Sequence, residues 1–159
     1  MAGPLARIGS LTGFVLLLGG CVSDGYTSPE GITSQSGAEV VGSKENHASA
    51  LFGGELRAYL SEIDGKATFF GPNEWDRSKL LAPGRHEVQV AVWKLGSDIG
   101  HTQKETITVA AGKTYTLRTD DLTVDDNGLS TLVWLQADDG SSVGDKATVL
   151  LEPARGKCD

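Results

Sequence analysis

The segment Arg85-His86-Glu87-Val88-Gln89-Val90-Ala91-Val92-Trp93 constrains the fold more than any other stretch of the chain. His86, Val88, Val90 and Val92 share one parity, while Glu87, Gln89, Ala91 and Trp93 share the other. That is the period of a strand with one face in a core and one toward solvent. Such a strand needs partners, and the neighbouring sequence supplies them. Leu56, Ala58 and Leu60 alternate with Arg57 and Ser61 up to the turn pair Asp64-Gly65, with Lys66 to Phe70 as hairpin partner. Thr106 to Ala110 sends Ile107 and Val109 inward, and Ala111-Gly112 turns the chain into Lys113 to Thr119, where Tyr115 and Leu117 alternate with polar residues. Asp125-Asp126-Asn127-Gly128 and Asp139-Gly140 are further turn signals. Thr131 to Leu135 is apolar on both parities, which predicts a strand covered on both faces with Trp134 in the core. Ala147 to Leu151 is the last strand before Pro153. About seven short strands without a helical stripe predict an all-β fold, a small antiparallel β-sandwich of immunoglobulin-like type with no parallel crossover. The 21 glycines fit a chain with many turns.

The N-terminal stretch has a different character. A short positive start, Met1 to Arg7, precedes an apolar run from about Ile8 to Leu18, then Gly19-Gly20-Cys21. This order reads as a secretory signal, because the run falls short of the about 20 apolar residues that a membrane span requires. Leu18-Gly19-Gly20-Cys21 resembles the lipobox of bacterial lipoproteins, which implies removal of residues 1–20 and acylation of Cys21. Val22 after the cysteine resembles lipoproteins released to the outer membrane in organisms that have one. Residues 21–54, rich in Ser, Gly, Thr, Asn and Glu, predict an acylated N-terminus followed by a disordered linker. A flexible chain of that length spans about 30 Å. His47 is then a solvated linker residue. The folded domain is expected over 55–153 and a C-terminal tail over 154–159. Acylation of Cys21 leaves Cys158 as the one remaining thiol, a residue of a tolerant terminus or, in the alternative, one that pairs between chains.

Within the domain, Ile63-Asp64-Gly65-Lys66, Leu80-Leu81-Ala82-Pro83-Gly84-Arg85-His86-Glu87-Val88 and Val109-Ala110-Ala111-Gly112-Lys113-Thr114-Tyr115 resemble the PEGA domain group and related small β-sandwich modules of bacterial envelope proteins. The likeness covers roughly Leu56 to Leu117. It implies a fold and an envelope setting, with no catalytic residues to carry over. His86 is expected as a ring packed at a strand start with a nitrogen bonded to a nearby carbonyl.

The formal net charge is −7, and loss of residues 1–20 leaves 13 basic against 21 acidic residues, or −8. Such a surface repels nucleic acid and anionic headgroups, so no nucleic-acid partner is expected and membrane attachment rests on the acyl chains. The histidines are His47, His86 and His101. No Gly-x-Ser-x-Gly elbow, His-Glu-x-x-His motif or zinc spacing is present, so neither catalysis nor a cofactor is expected. Asp120-Asp121, Asp125-Asp126-Asn127 and Asp138-Asp139 could supply Ca²⁺ oxygens, yet no glutamate closes an EF-hand frame and turn formation explains these residues, so no metal is expected. Trp75, in an irregular loop, and Trp93, on the parity opposite Val88, Val90 and Val92, are the candidate ligand contacts, since exposed aromatics stack on sugars or dock partners. The chain reads as a lipid-anchored envelope protein whose β domain is an interaction or structural module. Its expected partners are an envelope protein or, in the alternative, a cell-wall glycan or peptide. A calcium-binding or hydrolytic domain is the further alternative.

Overall fold

The computed structural model describes residues 25–47, 54–95 and 98–153. The sequence expectations for residues 1–20, Cys21 and 154–159, Cys158 included, lie outside them. The fold is all-β. Among the described residues twelve strands follow in order: β1 (Ala38–Val41), β2 (Ser43–His47), β3 (Gly54–Ile63), β4 (Lys66–Ala67), β5 (Lys79–Leu81), β6 (Gly84–Lys94), β7 (Asp98–His101), β8 (Glu105–Val109), β9 (Thr114–Thr119), β10 (Thr123–Asp125), β11 (Gly128–Ala137) and β12 (Ser142–Pro153). The expected strands of the domain are all present. In place of about seven antiparallel strands, however, there is one curled sheet in the order β2-β3-β6-β7-β12-β11-β9-β1-β5, with β4, β8 and β10 paired at its margins. It is mixed rather than antiparallel, because β1 runs parallel to β9 with Val40 opposite Tyr115.

The disordered linker expected over 21–54 is corrected across 25–47. Two strands lie there, and Tyr26, Ala38 and Val40 are buried in the core. Gly42 lets β1 pass into β2 and so from one end of the sheet to the other. A Cβ at Gly42 would overlap the carbonyl oxygens of Trp75 and Ala58, so this corner admits only glycine. At the opposite side β12 makes a comparable passage, pairing with β11 along Ser142–Leu151 and with β7 at Glu152 and Pro153. Two segments that change partners in this way curl the sheet around a single core.

Val88, Val90 and Val92 point inward from β6, facing Leu56, Ala58, Leu60, Ile107, Leu117, Val133, Leu135 and Val149. Leu60 and Ile63 both reach this core despite opposite parity, because a bulge at Ser61 shifts the β3–β6 register. The Asp64-Gly65 turn has φ of 50° and 76°, the paired left-handed geometry of a tight hairpin. Its second strand is short. Thr68 turns away with its hydroxyl donated to the Leu60 carbonyl at 2.5 Å, and Phe69 follows at φ 57°. For a bulky side chain that region costs roughly 1–2 kcal/mol. Trp134 departs from its expected core position. Val133 and Leu135 take the inward places, and Trp134 is half-buried under the Lys146 ammonium, 3.8 Å from the ring. The cause is the alternation of β11 itself, whose register with β9 runs unbroken through Trp134 and Arg118, while a bulge in β12 places Gly144 to Lys146 opposite Trp134 and brings Lys146 over its ring.

Candidate interaction site

Trp93 lies on the outer face of the sheet, as its parity requires, with Arg57 directly opposite on β3. The guanidinium carbon of Arg57 sits 5.2 Å from the Trp93 ring centroid, a cation–π stack. The same guanidinium donates to Glu55 Oε1 at 2.5 Å, to the Pro72 carbonyl at 2.7 Å and to Asn73 Oδ1 at 3.2 Å. Lys44 also reaches Glu55, 2.8 Å away, and its hydrogen bond and that from Arg57 together hold the Glu55 carboxyl below its ordinary value.

Trp75 belongs to the loop that Arg57 grips. Two successive turns, Glu74 N–H to the Gly71 carbonyl at 2.9 Å and Arg77 N–H to the Glu74 carbonyl at 3.1 Å, shape that loop. Its backbone packs on Gly42. Trp75 and Trp93 are both half-buried. Arg57 therefore ties the loop that carries Trp75 to the strand that carries Trp93, and the Trp93 face is already occupied by the guanidinium. A sugar seeking that face must displace a cation held by three further hydrogen bonds. An arginine held over a tryptophan by three further hydrogen bonds instead offers an amphipathic surface of the composition enriched at protein interfaces.

A second polar cluster escaped the sequence reading. His47, expected as a solvated linker residue, is packed between β2 and β9. Its Nε2 lies 2.8 Å from Thr119 Oγ1 and its Nδ1 3.1 Å from Asp121 Oδ1. Glu45 Oε2 accepts both the Thr119 N–H and its hydroxyl, each at 2.8 Å. Arg118 Nε comes within 2.8 Å of Glu45 Oε1 as an ion pair, without directing an N–H at that oxygen. Beyond them, Asp120 lies below its ordinary value, held there by the Asp121 backbone N–H and then by Lys146.

Acid, histidine and hydroxyl in series suggest a nucleophile relay, but the Thr119 hydrogen is directed at Glu45 and the residue is 4% exposed. The cluster works as a clamp between distant strands. Nothing local announces it, since His47 and Asp121 are 74 residues apart.

His86 takes the position read from the sequence. Nε2 meets the Ala82 carbonyl at 2.8 Å and Nδ1 the Asp64 carboxylate at 2.7 Å. Among the described residues, no three or more His, Cys, Asp or Glu side chains are grouped to hold a metal ion. One cleft of about 40 Å³ opens between β8 and β12, lined by Val88, Ile107, Val133 and Val143 with Glu105 and Asp145 at its rim. That is room for two or three waters and about a tenth of the volume a small-molecule site needs. Comparison with protein-family models, with curated proteins and with solved structures finds no match to the chain.

Proposed function

We propose that the protein is a lipid-anchored component of a bacterial cell envelope whose β domain recruits or braces another envelope protein, without chemistry of its own. The observation that carries this reading is the sequence from Ile8 to Cys21, an apolar run too short to span a bilayer that ends in a lipobox-like tetrapeptide. The described residues support the second half of the proposal. The cleft between β8 and β12 is small for a substrate, whereas the Arg57–Trp93 stack and the Pro72–Asn73 segment form a pre-ordered surface suited to a flat protein contact.

Two measurements test it. Metabolic labelling with an alkyne fatty acid should mark the wild-type chain and leave Cys21→Ser unlabelled in the soluble fraction. An equally labelled variant would remove the anchor. In-cell crosslinking from a photoreactive residue at Asn73 should yield a discrete heteromeric adduct that weakens at least several-fold with Trp93→Ala. A titration of cell-wall glycan fragments that shifted tryptophan emission, with no protein adduct, would favour the glycan alternative.

A further inference from the structure

The described residues begin close in sequence to the proposed anchor. Gly25 packs so tightly against the Phe69 ring that a Cβ there would overlap it, and the Tyr26 N–H donates to the Ala67 carbonyl at 2.8 Å. Only Val22, Ser23 and Asp24 separate Gly25 from Cys21. Four residues of fully extended chain span at most about 14 Å. A lipid on Cys21 therefore cannot hold the domain some 30 Å off the bilayer, and the corner built from Gly25 and Phe69 must lie at the surface.

That corner has the character an interface favours. Phe69 is the most exposed large apolar side chain among the described residues, at 67%. Its left-handed backbone turns the ring outward after Thr68 has bent the chain, with the Phe70 N–H directed back to Thr68 Oγ1. Beside it, the Lys79 ammonium lies 4.5 Å from the Phe70 ring and 5.9 Å from that of Tyr26. Aromatic rings with a long-stemmed cation sit stably at the headgroup level. The next most exposed apolar residue, Leu95, follows β6 and bonds to Glu55, at the end of β3 away from the Asp64 turn.

We propose that Phe69, flanked by Phe70 and Lys79, is the face with which the domain docks on the bilayer, its ring entering the headgroup boundary of a neutral phospholipid surface. This rests on the reading of Cys21 as acylated. One phenylalanine binds lipid weakly alone, but the anchor makes its contact intramolecular and so raises its effective concentration. The net negative charge selects neutral over anionic lipid.

The test uses the full chain recovered from bacterial membranes, with acylation of Cys21 read by intact mass, in vesicles of phosphatidylcholine brominated near the headgroup. In Phe69→Trp, the emission added above that of the unsubstituted chain should fall by roughly half relative to unbrominated vesicles, as expected for a ring within 5–10 Å of the acyl boundary. Should that variant misfold, hydrogen exchange on the unsubstituted chain replaces it. The amides around Phe69 to Gly71 should then slow several-fold on vesicles relative to the Cys21→Ser chain in solution. An acylated, vesicle-bound chain showing neither effect overturns the docking while the anchor stands. A Cys21 without acyl mass, in a soluble chain, overturns both.

Discussion

Asp64 closes a hairpin and ties it to the next strand. At φ 50° it adopts a conformation that aspartate tolerates better than most residues. Its carboxylate also receives the Glu87 N–H on Oδ1 at 3.0 Å and faces His86 Nδ1 with Oδ2. Replacement by alanine removes these bonds and leaves a Cβ in a left-handed backbone, so Asp64→Ala should lower stability by about 2–3 kcal/mol. Asp64→Gly relieves the backbone but not the lost bonds and should cost about 1–2 kcal/mol. Urea unfolding of both separates the contributions, and equal losses would show that conformation is irrelevant at this turn. Gly42 is constrained by space instead. Gly42→Ala would press a methyl group into two backbone carbonyls that cannot swing away, and a loss of about 3 kcal/mol is expected by the same measurement.

β1 and β2 join the two ends of the curled sheet. Under the linker reading, deletion of residues 25–47 would leave a stable domain. The structure gives the opposite expectation, because deletion removes Ala38, Val40 and Tyr26 from the core and strips Glu45 from the Thr119 N–H. The shortened chain should lose its cooperative thermal transition, and a transition retained within a few degrees would refute the role assigned to these strands. Glu45→Ala is the smaller version and should cost about 2–3 kcal/mol, with Glu45→Gln milder because an amide oxygen can still accept from Thr119. These two strands also show where sequence reading ends. β6, β8 and β9 were legible because their apolar residues alternate over five or more positions. Ala38-Glu39-Val40-Val41 is too short to establish a period, and Ser43-Lys44-Glu45-Asn46-His47 has no apolar residue at all. Its place comes from pairing with β3 and from ionic partners on distant strands, as with Lys44 and Glu55. The outward face of Trp93 followed from parity. The arginine covering it required the β3–β6 register, and the outward Trp134 required knowing which parity of a strand apolar on both sides meets the core, neither of which any local pattern encodes.

Charge acts on the molecule as a whole, because the ion pairs join different parts of the sheet. Lys104 bonds Glu62 on β3 and lies 3.3 Å from Glu87 on β6, Lys113 pairs with Asp138 across two turns, and Lys146 reaches Asp120 from β12. Asp120, Asp139 and Glu55 are held below their ordinary values, by the Asp121 backbone N–H, the Ser141 hydroxyl and Lys44 respectively. A depressed carboxyl contributes its stability above the unfolded value near about 4 and loses it as pH falls through the folded value. Lys104 and Lys113 are raised by their carboxylate partners, and burial raises Tyr26 and Tyr59. Raised groups contribute below the unfolded value, near about 10 for both types, and lose that contribution as pH rises through the folded one. Unfolding midpoints should therefore be level between about pH 5 and 9, then fall on both sides. The two limbs differ in origin. The acid limb rests on hydrogen bonds from a backbone N–H, a hydroxyl and an ammonium, of which only the last belongs to an ion pair that salt screens, so about 0.5 M NaCl should flatten it only in part, and Asp120→Asn should reduce it further. The alkaline limb includes the cost of ionising a buried phenol, which salt does not relieve. Tyr59, buried in β3, isolates that cost. In Tyr59→Phe the fall above pH 10 should become shallower while the acid limb is unchanged, and an identical alkaline fall would show that the lysine pairs alone produce it.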